Sequence, residues 1–321
     1  MQNITNIESG NQTSITEFIL LGFGILPDLQ ILLFLAFLVI YIVTMAGNIL
    51  IVALVVADRH LHTPMYFFLG NLSCLETCYT STILPRMLAS LLTGDRTISV
   101  NSCFVQFNLF SCLVSTECYL LASMSYDRYF AICKPLCYST LMNFRFCTEL
   151  ATGSWIGGFL VSSVTTYLIS QLTFCGPNEM DQFFCDLTPM IKLSCTDTHL
   201  IELVTLIFSS GFSLPPFLLT LTSYICIIAA ILRIPSTTGR QKAFSTCSFH
   251  LIVVTIFYGT LIIVYLLPNT MRDLNKIFSV IYTVLTPLVN PFIYSLRNKE
   301  VNEALRQAVR KLLSFTRMQI N

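Results

Sequence analysis

Charge is what this sequence has least of. Only 11% of its 321 residues are Asp, Glu, Lys or Arg, while 54% are hydrophobic. A soluble domain carries roughly a quarter charged residues, so the composition excludes one and points to a membrane chain. Apolar–polar alternation over about ten residues, the mark of a transmembrane β-strand, runs nowhere through it. No nucleophile–base set and no metal-ligand spacing is present, which argues against an enzyme. His60 and His62 stand two apart and would not share a helix face. Nothing suggests a nucleic-acid partner. The first 28 residues contain no Lys or Arg and turn polar before the first apolar run. A cleavable signal peptide is therefore not expected, and the first apolar run would act as a signal-anchor. No internal repeat is visible, which weighs against inverted-repeat transporters.

Long apolar runs are what the chain does have. They centre on Leu35–Val55, Tyr66–Leu84, Phe104–Met124, Leu150–Ile169, Val204–Ile228, Phe249–Leu267 and Ile277–Tyr294. Each meets the roughly 20-residue length that crosses a bilayer as a helix. The expected fold is an all-α membrane protein, a seven-transmembrane helix bundle in one domain. After Tyr294 the chain turns polar. Asn298 can cap a helix in which Val301, Leu305, Ala308, Val309, Leu312 and Leu313 recur at helical spacing, with a basic face of Lys299, Arg306, Arg310 and Lys311. That predicts a short amphipathic C-terminal helix, lying on the inner leaflet or docked on protein. The expected organisation is an outer segment 1–28, a bundle 29–296 and a tail 297–321.

Seven spans divide the loops into two sets. One holds Arg59, Arg128, Lys134, Arg145, Arg233, Arg240, Lys242 and the basic tail; the other holds only Arg86, Arg96, Lys192, Arg272 and Lys276. The positive-inside rule then places the amino terminus outside and the carboxyl terminus in the cytoplasm. The sequons at Asn3 and Asn11 agree with that orientation. Asn71 also begins a sequon, but inside a span, and is discounted. Four of the 13 cysteines, Cys103, Cys175, Cys185 and Cys195, fall on the outside, where disulfides persist. Four cysteines permit three pairings, and spacing alone does not choose among them. The long connection from Ser170 to Thr198 carries three of these cysteines and would be pinned over the bundle mouth.

Two sets of charged residues fall where charge is costly. Asp127 and Arg128 are adjacent at the end of the third apolar run, on the cytoplasmic side by the loop charges. Ionisable residues at a membrane helix are read as functional by default; the bland alternative is a solvated helix end. Glu76 and Glu117 lie within spans two and three. Each must be protonated, hydrogen-bonded or sharing a cation, because an unpaired buried carboxylate costs several kcal/mol.

A series of motifs then appears in order. Gly47–Asn48 in span one is followed by Leu61–His62–Thr63–Pro64–Met65–Tyr66–Phe67–Phe68–Leu69, and Met124–Ser125–Tyr126–Asp127–Arg128–Tyr129 by Ala131–Ile132–Cys133 and Pro135–Leu136. Ser223–Tyr224, Lys242–Ala243–Phe244–Ser245–Thr246–Cys247 with His250, and Pro287–Leu288–Val289–Asn290–Pro291–Phe292–Ile293–Tyr294 complete the set. Over nearly its whole length the chain resembles the rhodopsin-like G-protein-coupled receptors, and within them the class II odorant (olfactory) receptors.

The resemblance implies a switch at the cytoplasmic end. Asp127 would hold Arg128 when inactive and release it to a G protein, with Tyr129 beside them. Pro291 withholds a backbone donor and loosens span seven, Asn290 can recapture freed groups, and Tyr294 could swing toward Tyr224. Lys242 stands at the foot of span six with no acid nearby, so an ion lock from span six to Arg128 is not expected. The resemblance also implies a Cys103–Cys185 disulfide and a second between Cys175 and Cys195. Glu76 and Glu117, with Asn48 and Asn290, match the family's mid-membrane sodium pocket; a protonated, hydrogen-bonded pair is the alternative, and no other cofactor is expected.

The expected ligand pocket lies toward the outside. Phe107, Phe110, Ser111, Val114, Ser115 and Cys118 share one face of span three at spacings of three and four. Phe208 and Phe212 in span five and Tyr258, Leu261 and Tyr265 in span six match the family's pocket at comparable depth. Interhelical packing is the bland reading of the same faces. Apolar walls with a few hydroxyls suit a small, neutral, volatile odorant. Phe110 stands where receptors for amines carry an acid, and span seven lacks the lysine an opsin needs. The implied partner is a heterotrimeric G protein of the stimulatory, olfactory type that raises cAMP, and the implied location is the plasma membrane, in contact with lipid. A transporter or channel would want ionisable residues along a continuous path, and only Glu76 and Glu117 lie deep.

Overall fold

Backbone groups in hydrocarbon must be satisfied within their own segment, which is why a sequence this apolar folds as helices. The computed structural model describes residues 15–24, 27–266, 275–296, 301–307 and 310. Asn3, Asn11, Asn298, most of the tail helix and the side chains of Lys242 and Tyr294 lie outside the described residues.

The long helices are α1 (Pro27–Ala57), α2 (Pro64–Thr93), α3 (Val100–Cys133), α5 (Phe144–Ser170), α7 (His199–Leu232) and α8 (Thr237–Leu261). A π-helical segment, Ile262–Leu266, continues α8, and α9 (Asn275–Val280) runs through a second, Ile281–Leu285, into α10 (Thr286–Leu296). Two short helices, α4 (Pro135–Leu141) and α6 (Leu187–Lys192), lie in the connections, and residues 301–307 are helical. Among the described residues, four helical stretches are long and apolar enough to cross a membrane by length and composition: Leu29–Ala57, Val100–Cys133, His199–Leu232 and Asn275–Ile293. Their outward faces are greasy: Ile31 is 73% exposed and Leu32 61%. Such a surface belongs against lipid.

Local chemistry sets the helix ends. Pro64 opens α2, where its missing N–H is not needed. Ser99 caps α3 by accepting from Ser102 N at 3.2 Å, and Asn143 caps α5 by accepting from Phe146 N at 2.9 Å. Gly94 closes α2 at φ 76°, a left-handed position that favours glycine. The connection between α7 and α8 is short. Ser236 caps α8 by accepting from Gly239 N at 3.2 Å, so Gly239 and Lys242 already stand on the helix.

Helix α3 is the central element, packed on α2, α5 and α7. Its approach to α5 depends on Gly158, where a Cβ would meet the Thr116 hydroxyl and lie 2.7 Å from the Cys112 carbonyl oxygen. One end of the bundle carries a three-stranded sheet in the order β2–β1–β3, from β1 (Glu17–Leu20), β2 (Thr97–Ser99) and β3 (Glu179–Met180). β1 is antiparallel to β2, with Phe18 opposite Ile98, and parallel to β3, with Ile19 opposite Glu179. Phe18 is fully buried, its ring edge-on to Phe174 at 5.2 Å. Disulfides join Cys103 to Cys185 and Cys175 to Cys195, with Cα atoms 5.5 and 5.8 Å apart. The long connection after α5 is thus structured by β3, α6 and two bridges.

Candidate functional site

Three polar clusters lie along the bundle, and α3 contributes to each. The first is at the end opposite the disulfides. Arg128 donates to Asp127 Oδ2 from Nη2 at 2.5 Å and from Nε at 3.0 Å, with side chains 14% and 1% exposed. A buried pair of this kind holds only if its remaining lone pairs are satisfied. Tyr138 on α4 does this, donating its hydroxyl to Asp127 Oδ1 at 2.8 Å. Burial first, and then the Asp127 carboxylate, raises the Tyr138 phenol above its ordinary value, so it stays a proton donor. Tyr129 packs beside the pair, with Ile132 and Cys133, on a small core of Tyr224, Ile227, Ile231 and Cys247. Tyr224 is hydrogen-bonded to His250 Nδ1 at 2.5 Å.

The second cluster is buried at mid-bundle. Asn290 donates from Nδ2 to Glu76 Oε1, and Asn48 donates to the carbonyl oxygens of Thr44 at 3.1 Å and Pro287 at 3.2 Å. Glu76 Oε2, Asn48 Oδ1 and the Thr44 hydroxyl are buried without a hydrogen-bond partner. Glu117 lies within electrostatic reach of Glu76. Among the described residues no group of three or more His, Cys, Asp or Glu could hold a metal. A cation there would rely on amide, hydroxyl and carboxylate oxygens, the hard donors that suit an alkali ion. Pro291 adjoins this cluster and packs on α1, 3.0 Å from where a Cβ on Gly47 would sit.

The third cluster lies beneath the disulfides. The Phe110 ring is 4.9 Å from Phe184, 5.4 Å from Tyr79 and 6.0 Å from Tyr282. Tyr265 donates to Asp186 Oδ1 at 2.9 Å and is hydrogen-bonded to Tyr282 at 3.2 Å. Asp186 also caps α6 by accepting from Leu187 N at 2.8 Å. Burial pushes the Asp186 carboxyl up to about 6, against the opposing pull of Leu187 N–H and the Tyr265 hydroxyl. Gln182 donates to Ser279 Oγ at 3.3 Å, giving the loop a second hold on α9. Such a constellation presents aromatic walls with a few oriented hydroxyls.

The expected pocket residues do not all converge. Phe110, Val114, Tyr258, Leu261 and Tyr265 belong to one core, in which Tyr258 also donates to the Cys118 carbonyl at 3.2 Å. Phe107 turns into the cap cluster with Phe18, Cys103 and Cys185. Phe208 and Phe212 pair with each other at 4.9 Å, and Phe212 is 38% exposed on α7. Ser111 and Ser115 are half-buried. Tyr138, Tyr282 and Asp186 carry no signal of their own in the sequence, and His250 stands out there only within its motif. The same holds for Tyr79 and Phe184 as site residues.

The helical bundle thus carries an aromatic and hydroxyl-lined cluster at one end, the Asp127–Arg128 pair with Tyr138 at the other and a polar core between them. The olfactory receptor family matches residues 37–313. Olfactory receptor 5AP2 of Mus musculus is 48% identical over 303 residues, covering 94% of this chain and 96% of that one. Olfactory receptor 6B1 of Homo sapiens is 50% identical over 303 residues, covering 94% and 97%. Olfactory receptor 6N1 of Homo sapiens is 48% identical over 308 residues, covering 95% and 99%. The chain belongs to the olfactory receptor family. It is a membrane receptor of the G-protein-coupled kind, serving odorant detection, and not an enzyme.

Proposed function

We propose that the chain spans the membrane seven times, amino terminus outside, in the plasma membrane. It binds a small, neutral, volatile molecule within the bundle and activates a stimulatory, olfactory-type G protein that raises cAMP. The observation that carries this reading is the placement of two switches on one helix. Phe110 on α3 touches the aromatic cluster tied to Asp186 and Tyr265, while Asp127 and Arg128 form the lock at the other end of α3. A ligand that favours one packing of the upper cluster biases the lock, and G protein and ligand then raise each other's affinity.

The pocket in this reading is formed by Phe110, Val114, Tyr258, Leu261 and Tyr265, with Ser111 and Ser115 half-buried on the same helix as Phe110; Phe107, Phe208 and Phe212 pack elsewhere and are not part of it. Arg128, Tyr129, Lys242 and Tyr224 meet the G protein or control access to it; Pro291 bends the last span, Asn290 recaptures the freed backbone groups and Tyr294 swings toward Tyr224. Sodium occupies the Glu76, Glu117, Asn48 and Asn290 cluster, supported by the unpartnered buried oxygens there. Asn3 and Asn11 carry glycans. Screening a chemically diverse odorant panel in cells with a cAMP reporter tests the function. A neutral volatile agonist that raises cAMP only when the stimulatory G protein is present is the expected result. A ligand-dependent current in cells lacking G proteins would contradict it.

A further inference from the structure

A cleft opens at the disulfide end, between the chain leading into α1 and the last turns of α2. It is partly open to solvent, and the cavity itself measures about 40 Å³. Its floor is apolar, formed by Phe23, Leu33, Met87, Leu91 and Phe183. Phe23 is stacked between Phe37 and Phe183 at 5.5 Å from each, so the floor is built of fixed rings. Leu29 and Leu92, close by in sequence, are exposed.

The walls carry positive charge. Arg86 and Arg96 line the cleft, and no described lining residue is acidic. Arg96 donates to the carbonyl oxygens of Leu21 at 3.2 Å and Gly24 at 2.7 Å, and Arg86 donates to Thr97 O. These contacts orient both guanidinium groups without neutralising them. Asp95 is an acid next to Arg96 in the sequence; its Oδ1 accepts from Thr97 N at 2.9 Å and Thr97 Oγ1 at 2.8 Å, and among the described residues it forms no ion pair with either arginine. The Thr97 bonds hold its carboxyl below the usual range first, with Arg86 a smaller contributor. Two cations thus face one solvated carboxylate. Each guanidinium has five donors in a planar fork, a match for a carboxylate or phosphate.

We infer that this cleft binds the anionic head of an amphiphile between Arg86 and Arg96, with its alkyl chain along Phe23, Leu33 and Leu91. The site is separate from the Phe110–Tyr265 cluster and does not depend on the odorant reading. A free fatty acid and an anionic phospholipid share the required chemistry, an oxyanion on an alkyl chain.

The test uses the full chain in phosphatidylcholine nanodiscs. One arm titrates oleate, with monooleoylglycerol as a neutral amphiphile of the same chain. A second replaces part of the phosphatidylcholine with phosphatidylglycerol and measures its retention by native mass spectrometry. Saturable oleate binding, about tenfold tighter than monooleoylglycerol, is expected from charge-assisted bonds. Retained phosphatidylglycerol that oleate displaces assigns the site to a lipid head group; oleate binding alone assigns it to a free carboxylate. R86Q/R96Q should weaken oleate about tenfold and leave monooleoylglycerol unchanged, while R86K/R96K, which keeps the charge but loses the planar fork, should fall between the two. Equal affinity for oleate and monooleoylglycerol in the unmutated chain, with no phosphatidylglycerol retained, overturns the inference. So does oleate binding insensitive to R86Q/R96Q.

Discussion

Tyr138 on α4 donates its hydroxyl to Asp127 Oδ1 at 2.8 Å, so the carboxylate that holds Arg128 is itself held from the next helix. The lock is therefore a triad across two helices. In the proposed switch, releasing Arg128 requires either that α4 moves with α3 or that this bond breaks.

Removing the Tyr138 hydroxyl should loosen the lock without touching Arg128. A hydrogen bond to a charged group contributes about 1.5–3 kcal/mol, so Tyr138→Phe is expected to raise ligand-free signalling several-fold. Basal cAMP normalised to surface expression checks this. Basal signalling at or below the unmutated level would mean that Tyr138 does not restrain the pair.

Asp186 should make the disulfide end sensitive to pH. Its folded value of about 6 lies above the ordinary 3.8, so protons bind the folded state better. The stabilisation is full below about pH 4 and is lost as pH rises through about 6. A shift of about two units corresponds to about 3 kcal/mol for this buried group. Thermal unfolding of the purified receptor between pH 4 and 7 should show this loss, and Asp186→Asn should flatten it. An equal pH slope in both proteins would rule Asp186 out.

These two contacts mark where the sequence stopped being legible. The long helices were readable because a bilayer demands about 20 apolar residues, and α1, α3 and α7 contain such runs. Asp127 and Arg128 were readable because charge is scarce in this chain. Tyr138 was not, since α4 is a seven-residue helix with no buried residue and no apolar stripe. Asp186 lay in a long loop whose fold depends on the Cys103–Cys185 bridge and on β3. The turn of Phe107 into the cap has the same origin: β1 and the loop bring Phe18 and Cys185 against that face of α3. Helical spacing places residues on a face but does not say what covers it.

The mid-bundle cluster should respond to sodium if the ion fills it. Replacing choline chloride with sodium chloride at constant ionic strength should raise the melting temperature of the receptor by a few degrees, an effect of about 1 kcal/mol. Glu76→Gln should abolish the difference. Identical melting in both salts would favour the alternative, a protonated hydrogen-bonded pair.

Gly158 tests the α3–α5 contact on which the position of Phe110 and Arg128 depends. Gly158→Ala puts a methyl against the Thr116 hydroxyl and 2.7 Å from the Cys112 carbonyl oxygen, where backbone must shift. Overpacking of this kind costs about 1–3 kcal/mol. A lower melting temperature and reduced surface expression are expected; unchanged values would show that the helices separate freely here.

Arg128→Ala tests the central claim most directly, because in the proposed switch this side chain is both the captive of Asp127 and the contact for the G protein. Odorant-driven cAMP measured alongside surface expression decides it. Loss of the cAMP response with the receptor still at the surface is the predicted result. A normal cAMP response from the Arg128→Ala receptor would contradict the account.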